Sequence, residues 1–420
     1  MYLPSDNNLE RANSFRQVKY KIPLYISVIL VALGLIVIRQ QLTTEELTIG
    51  GVDLEGVVTD QPKQRGQSVY FDFQGYTIRT SIYPKISYGD IIEINGVADE
   101  KGFISFPTIE KIDESNTFLT RLSSFRGRVE EKINKFLPEP QASLLTGVLL
   151  GVDKGLPKDF EEALRNTGTI HVVVVSGYNI MIVGGFFLLL AGFIKRKYAI
   201  TLSISAIVIY TLLTGAQAPT VRAAIMGGLA FSATFLGRQN LPFYTLLLAA
   251  FIMLIINPST FSDIGFQLSF LATAGIILFR DTIFGFLKRI PSPLGEDLTT
   301  TLSAQALVIP IIFFHFGQVS LISPIVNALI LWTIPLATIL GFAIVLFGFI
   351  FEPIGQLIAW IAWVPLSIFV WVVQGFSKLP LISVNLGEGN LALLIGYYIA
   401  LTVIIFSLLK YVRVHKKKST

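Results

Sequence analysis

Apolar residues gather in long blocks along the chain, at about 22–38, 170–194, 198–214, 218–236, 241–256, 264–280, 298–316, 322–350, 354–376 and 391–411. Most are roughly 16 to 25 residues long, the length a helix rising about 1.5 Å per residue needs to cross a hydrocarbon core of about 30 Å. The block at 322–350 is longer and carries Pro324 and Pro335, which predicts a broken or re-entrant helix pair.

The texture differs between Val52 and Ile112. Short alternating runs broken by turn residues, VDLEGVV, SVYFDF, YTIRTSI, GDIIEINGVA and GFISFPTIEKI, predict five strands. So many short strands in so little chain fit a small closed barrel such as an OB-fold better than a sandwich. Alternation puts Val69, Phe71 and Phe73 on one face, joined by Ile78 and Ile82, and turns Tyr70, Asp72, Gln74 and Arg79 outward. Tyr70 beside Arg79 suits base stacking and phosphate contact. An ordinary solvated strand face is the competing reading, since Asp72 lowers the local positive charge. After it, Phe118, Leu122, Phe125, Val129, Ile133 and Phe136 recur at helical spacing among arginines and lysines, predicting an amphipathic helix in the membrane interface or packed under the barrel.

Charge then orients the blocks. Arg11, Arg16, Lys19 and Lys21 precede the first block, and no small-residue cleavage site follows it, so it reads as a retained anchor with a cytoplasmic N-terminus. Later basic clusters, at Lys195–Lys197, at Arg238, at Arg280 with Lys288 and Arg289, and at Lys416–Lys418, all fall on the cytoplasmic side of that count. The predicted fold class is a polytopic α-helical membrane protein of about ten transmembrane helices, some broken or re-entrant, with a small all-β OB-like domain inserted after the first helix. Its parts are a cytoplasmic N-terminus and anchor (1–44), an outer β domain (45–115), the amphipathic helix (116–140), the transmembrane domain (141–412) and a basic cytoplasmic tail (413–420). These signals predict a multi-pass protein of the cell membrane with both termini inside.

Composition removes several chemistries. Among 420 residues, 52% are hydrophobic and 15% charged; there is no cysteine, so neither disulfides nor thiolate metal sites can form. The three histidines, His171, His315 and His415, are far apart and in no metal-ligand spacing, so neither a metal nor another cofactor is expected. No P-loop is present for nucleotide hydrolysis. Much of the net charge of +5 sits at the chain ends, where it reads as a topological signal.

Polar groups within the apolar blocks are the remaining candidates. Arg222 lies early in the helix opened by GAQAPTVRAAIMGG, with Pro219 in its first turn and Gly215 allowing an irregular approach. It either snorkels to the interface or faces a pore as a cation for phosphates. GTIHVVVVSGYNIMIVGG joins a β-branched run to Ser176, Gly177, Tyr178 and Asn179 and predicts an interrupted helix at membrane depth. Ser176 as a nucleophile activated by His171 is the weaker reading, because five residues separate them on a helix and no acidic partner is evident. Asp263 suits a helix cap, and Gln267 and Gln305 suit interhelical hydrogen bonds.

These segments, in this order, resemble the membrane "competence" domain of the ComEC family, the DNA internalisation channels of naturally transformable bacteria. The likeness rests on LLTGVLLGVDKGLPKDFEEALRNTGTIHVVVVSGYNI, APTVRAAIMGGLAF, INPSTFSDIGFQLSFLATAGI and AQALVIPIIFFHFGQVSLISPIVNALI. It implies a pore passing one DNA strand inward, with an outer OB-type domain receiving it. By position it carries the family's signature onto His171, Ser176, Gly177 and Tyr178, and its arginine-bearing helix onto Arg222. Asn179 stands where the family usually has a second histidine, and the metallo-β-lactamase-like domain of many members has no counterpart here. The resemblance therefore implies a channel that is not itself a nuclease or ATPase. Its partners would be single-stranded DNA, the lipid bilayer, and a separate outer DNA receptor, nuclease and cytoplasmic helicase or translocase; a homo-oligomer is compatible with it. A small-molecule or lipid-linked permease sharing the fold is the alternative, and an intramembrane hydrolase a more distant one.

Overall fold

The computed structural model describes residues 50–401 apart from 59–61, 66–67, 84–85, 87–89, 100–101, 114–117, 152–154, 293, 380–382 and 386–390; the expected anchor at 22–38 and the basic tail lie outside these. Residues 50 to 113 form one curled sheet. Its strands are β1 (Gly50–Val57), β2 (Lys63–Arg65), β3 (Ser68–Phe73), β4 (Tyr76–Ser81), β5 (Ile91–Ala98), β6 (Phe103–Ser105) and β7 (Thr108–Asp113). They lie in the order β1-β5-β6-β4-β3-β2, with β7 also on β5 and only β4/β6 parallel. The five expected runs become seven strands for local reasons. A short β2 precedes SVYFDF, and GFISFPTIEKI breaks at Phe106, whose φ is +51°, and Pro107, which has no N–H for a ladder. Gln74 and Gly75 take positive φ at the β3/β4 turn, as a two-residue hairpin of type I′ requires. The Gln74 amide then donates to the Glu55 carbonyl at 2.6 Å, drawing the hairpin tip onto β1. Phe71, Phe73, Ile78, Ile92, Ile94 and Ile104 fill the interior.

Helix α1 (Phe118–Phe136) is the expected amphipathic helix. It buries Val129, Ile133 and Phe136 in the core of the helical bundle and leaves Arg121 and Arg128 exposed. Lys132 and Lys135 both pair with Glu352, the latter at 2.8 Å. Helix α2 (Gln141–Leu150) is buried at all of its positions. At about 1.5 Å per residue it is too short to cross a bilayer and is enclosed by its neighbours.

The helices that follow are α3 (Lys158–Asn166), α4 (Gly177–Leu189), α5 (Arg196–Leu213), α6 (Ala218–Phe235), α7 (Pro242–Ile256), α8 (Ile264–Leu287) and α9 (Leu294–Phe316). After a short strand β8 (Gln318–Ser320) come α10 (Ser323–Ile330), α11 (Thr333–Ile350) and α12 (Glu352–Ser377). Strand β9 (Ser383–Asn385) then pairs with β8, and α13 (Leu391–Leu401) closes the described chain. Among the described residues six segments are long and apolar enough to span a membrane: Ile170–Gly192, α5, α8, α9, α11 and α12. The block at 322–350 divides into α10 and α11, as its prolines predict. Pro324 and Pro335 each sit in the first turn of a helix, where a missing N–H is harmless.

Small residues set the closest helix contacts. At Gly275 of α8 an added Cβ would stand 2.3 Å from the Ser303 carbonyl oxygen of α9. Only a glycine lets these two backbones meet so closely.

Candidate nucleic-acid interface

Two places bring predicted polar residues together, one on the sheet and one inside the bundle. On the sheet, Tyr70 of β3 is paired in register with Arg79 of β4. The Arg79 guanidinium carbon lies 5.8 Å from the Tyr70 ring centroid and 4.9 Å from that of Phe106, and its Nε donates to Ser68 Oγ at 3.3 Å. The Phe103 ring is 6.5 Å from that of Tyr70. Asp72, outward on the same hairpin, accepts from Thr77 Oγ1 at 2.8 Å.

Inside the bundle, the chain between Thr169 and Gly177 is interrupted as the sequence predicts. Ile170–Val172 form one 3₁₀ turn, Val173–Ser176 are irregular, and α4 begins at Gly177. β-Branched Val172–Val175 disfavour a continuous helix, and Ser176 is extended, with φ −96° and ψ 164°. Next to this break lies Arg222, one turn into α6. Gly215 and Ala216, both at positive φ, make the irregular approach to that helix.

Arg222 is half-buried and held by neutral groups. Its Nε donates to Ser269 Oγ at 2.5 Å and its Nη1 to Thr273 Oγ1 at 2.7 Å; Met226 Sδ is 3.8 Å from Nη1. The Thr273 hydroxyl proton goes to the Ser269 carbonyl at 3.0 Å, leaving its lone pairs for the guanidinium. Nη2 faces the start of α4: a Cβ added at Gly177 would lie 3.7 Å from it. Among the described residues no carboxylate pairs with Arg222. The guanidinium thus spans three helices, α4, α6 and α8, with hydroxyls on one side and a helix start on the other.

The other predicted residues divide between structure and surface. Asn179 is 1% exposed, and its amide donates to the Val148 carbonyl at 2.8 Å and accepts from Thr338 Oγ1 at 3.2 Å. Three neighbouring carbonyls at the end of α2 are met in the same way, Leu149 by Tyr210 OH at 2.8 Å, Leu150 by Arg126 Nη2 at 2.9 Å and the capping Gly151 by Gln217 Nε2 at 3.3 Å. The orphan carbonyls at this helix end are therefore satisfied by side chains from four separate segments. Tyr178 is 54% exposed. His171 is exposed, and among the described residues no bond joins it to Ser176. Gln267 bridges the Phe261 carbonyl at 3.0 Å and His315 Nε2 at 3.3 Å, and Gln305 donates to Ser323 Oγ at 3.0 Å, so both make the expected interhelical bonds. Asp263 caps α8 by accepting from Phe266 N at 2.6 Å. Among the described residues no group of three or more histidine or acidic side chains could hold a metal.

The competence protein family matches this chain over residues 148–411, more than half of its length and all of the bundle site. The chain belongs to that family. It is also 27% identical over 227 residues to "ComE operon protein 3" of Bacillus subtilis (strain 168), a match covering 54% of this chain and 29% of the relative. The matched stretch is thus under a third of that relative's length. No solved structure matches. As a family member with several apolar helices of spanning length, the chain is a competence-type membrane protein carrying an N-terminal curled sheet.

Sequence reading missed Thr273 and Phe106. Thr273 follows Ser269 by four residues and so shares its helical face, a signal that was available. Phe106 read only as part of a strand; its neighbour Pro107 was the sign that the strand stops there.

Proposed function

We propose that this protein is a conduit through which single-stranded DNA crosses the cell membrane inward, with Arg222 as a phosphate contact on the path. The observation that carries the reading is a guanidinium inside an apolar bundle, held by two hydroxyls and set against the start of a broken helix. Placing an arginine at the centre of a membrane helix costs about 2.5 to 3.5 kcal/mol on insertion scales, and neutral hydroxyls leave its charge uncompensated. The start of α4 adds the positive end of a helix dipole and N–H groups without intrahelical partners. Two positive features placed together favour a passing anion, as discontinuous helices do in transporters. A chain of phosphates supplies such anions in succession, and membership of the competence family supports that choice.

In this reading the sheet faces outward and receives the strand, with Tyr70 and Arg79 as its contact. Both chain ends lie in the cytoplasm. The protein acts as a channel that is neither nuclease nor ATPase, and separate proteins capture the duplex, degrade the other strand and pull. The test is removal of the protein followed by exposure of competent cells to labelled DNA. Label should stay outside and transformants should vanish; entry at the ordinary rate would refute the conduit, and loss of a small solute instead would favour a permease.

A further inference from the structure

Phe106 stands out twice on the sheet. Its side chain is 56% exposed, and its backbone is at φ +51°, where a bulky side chain crowds its own carbonyl. The following Pro107 adds to this, because a residue before proline is pressed toward extended conformations. Glycine or asparagine would fit this corner with less strain. The Phe106 N–H is fixed to the Arg79 carbonyl at 2.6 Å, which anchors the corner beside β4. An apolar ring is thus kept in water, on a strained backbone, directly over a cation.

We propose that Phe106 is a base-stacking residue for single-stranded DNA, forming with Tyr70 a two-ring platform that sandwiches Arg79. This rests on the conduit reading and adds a residue to it. Arg79 lies between the rings, at 4.9 Å and 5.8 Å from their centroids, so each ring fixes the guanidinium by cation–π attraction while Nε is held by Ser68. The cation is positioned for a phosphate. The exposed Phe106 ring offers an apolar plane for the attached base, and Phe103 extends the same surface beyond Tyr70. Among the five strands of six residues or more, β3 and β4 are second and third in chain order, the position of the strand pair whose face takes oligonucleotides in OB-type barrels. Stacking on aromatic planes is tolerant of base identity, which suits a protein that receives any sequence.

The test uses the full chain in lipid nanodiscs and two labelled probes, a short oligothymidylate and an abasic strand of the same length. Phe106→Gly should weaken oligothymidylate binding about tenfold, weaken binding of the abasic strand several-fold less than that, because only the positioning of Arg79 is lost there, and leave the unfolding temperature unchanged or raised, since strain is relieved. Phe106→Trp should restore oligothymidylate binding. Unaltered oligothymidylate affinity in Phe106→Gly would overturn the assignment. So would equal loss on both probes, which would mean that the ring only positions Arg79. If the unsubstituted chain binds neither probe, the conduit reading fails along with it.

Discussion

Arg79 and Arg222 carry the same planar fork of donors in opposite surroundings. Arg79 lies across a strand pair between two aromatic rings and in reach of water, where attraction to a phosphate is screened by salt. Arg222 lies in an apolar bundle, its Nε and Nη1 held by Ser269 and Thr273 while Nη2 faces the start of α4. There an anion meets less screening and a higher desolvation penalty. The first setting favours capture of a passing strand from solution. The second favours smoothing the energy of a charged polymer where lipid would repel it.

The sharpest way to break this contrast is Arg222→Met, which keeps length and removes charge. Loss of a charged hydrogen bond worth about 1.5 to 3 kcal/mol should lower the rate of DNA entry by about tenfold or more. Thermal stability should hold or rise, because a charge has left an apolar interior. Normal entry measured with labelled DNA would place Arg222 among purely structural groups. Next in size, Gly275→Ala should push α8 off α9 and shift Ser269 and Thr273 relative to Arg222, with a stability loss of about 1 to 3 kcal/mol visible as a lower unfolding temperature. An unchanged unfolding temperature would show that the contact is not tight. The smallest effect is expected at the surface. Arg79→Gln should weaken oligonucleotide binding to the full chain a few-fold and flatten its salt dependence by about 0.7 in log–log slope, while Arg222→Met leaves that slope alone. Equal slopes for both variants would erase the distinction between the two arginines.

Much of this arrangement was legible in the sequence. Alternation in SVYFDF and YTIRTSI gave the buried face of Phe71, Phe73 and Ile78 and the outward pair Tyr70 and Arg79, because a pleated strand has only two sides. The breaks at Ser176 and between α10 and α11 were marked by β-branched residues, glycine and proline, whose effects are local. Arg222 was visible as a charge among apolar neighbours. What it touches was not. Ser269 and Thr273 lie far along the chain on another helix, and only the packing of α6 on α8 brings them to the guanidinium. Asn179 read as a pore candidate from its place in the signature, whereas its amide belongs to a carbonyl in α2 and a hydroxyl in α11, both beyond any local pattern.

The last turn of α2, with the glycine that caps it, ties distant parts of the bundle to one point. Asn179, Tyr210, Arg126 and Gln217 each hold one of four consecutive carbonyls there. Withdrawing any of them strands an oxygen away from water, at a cost of about 1 to 3 kcal/mol. The amphipathic helix and the break beside Arg222 are therefore pinned to a shared keystone, and a push on one is borne by both.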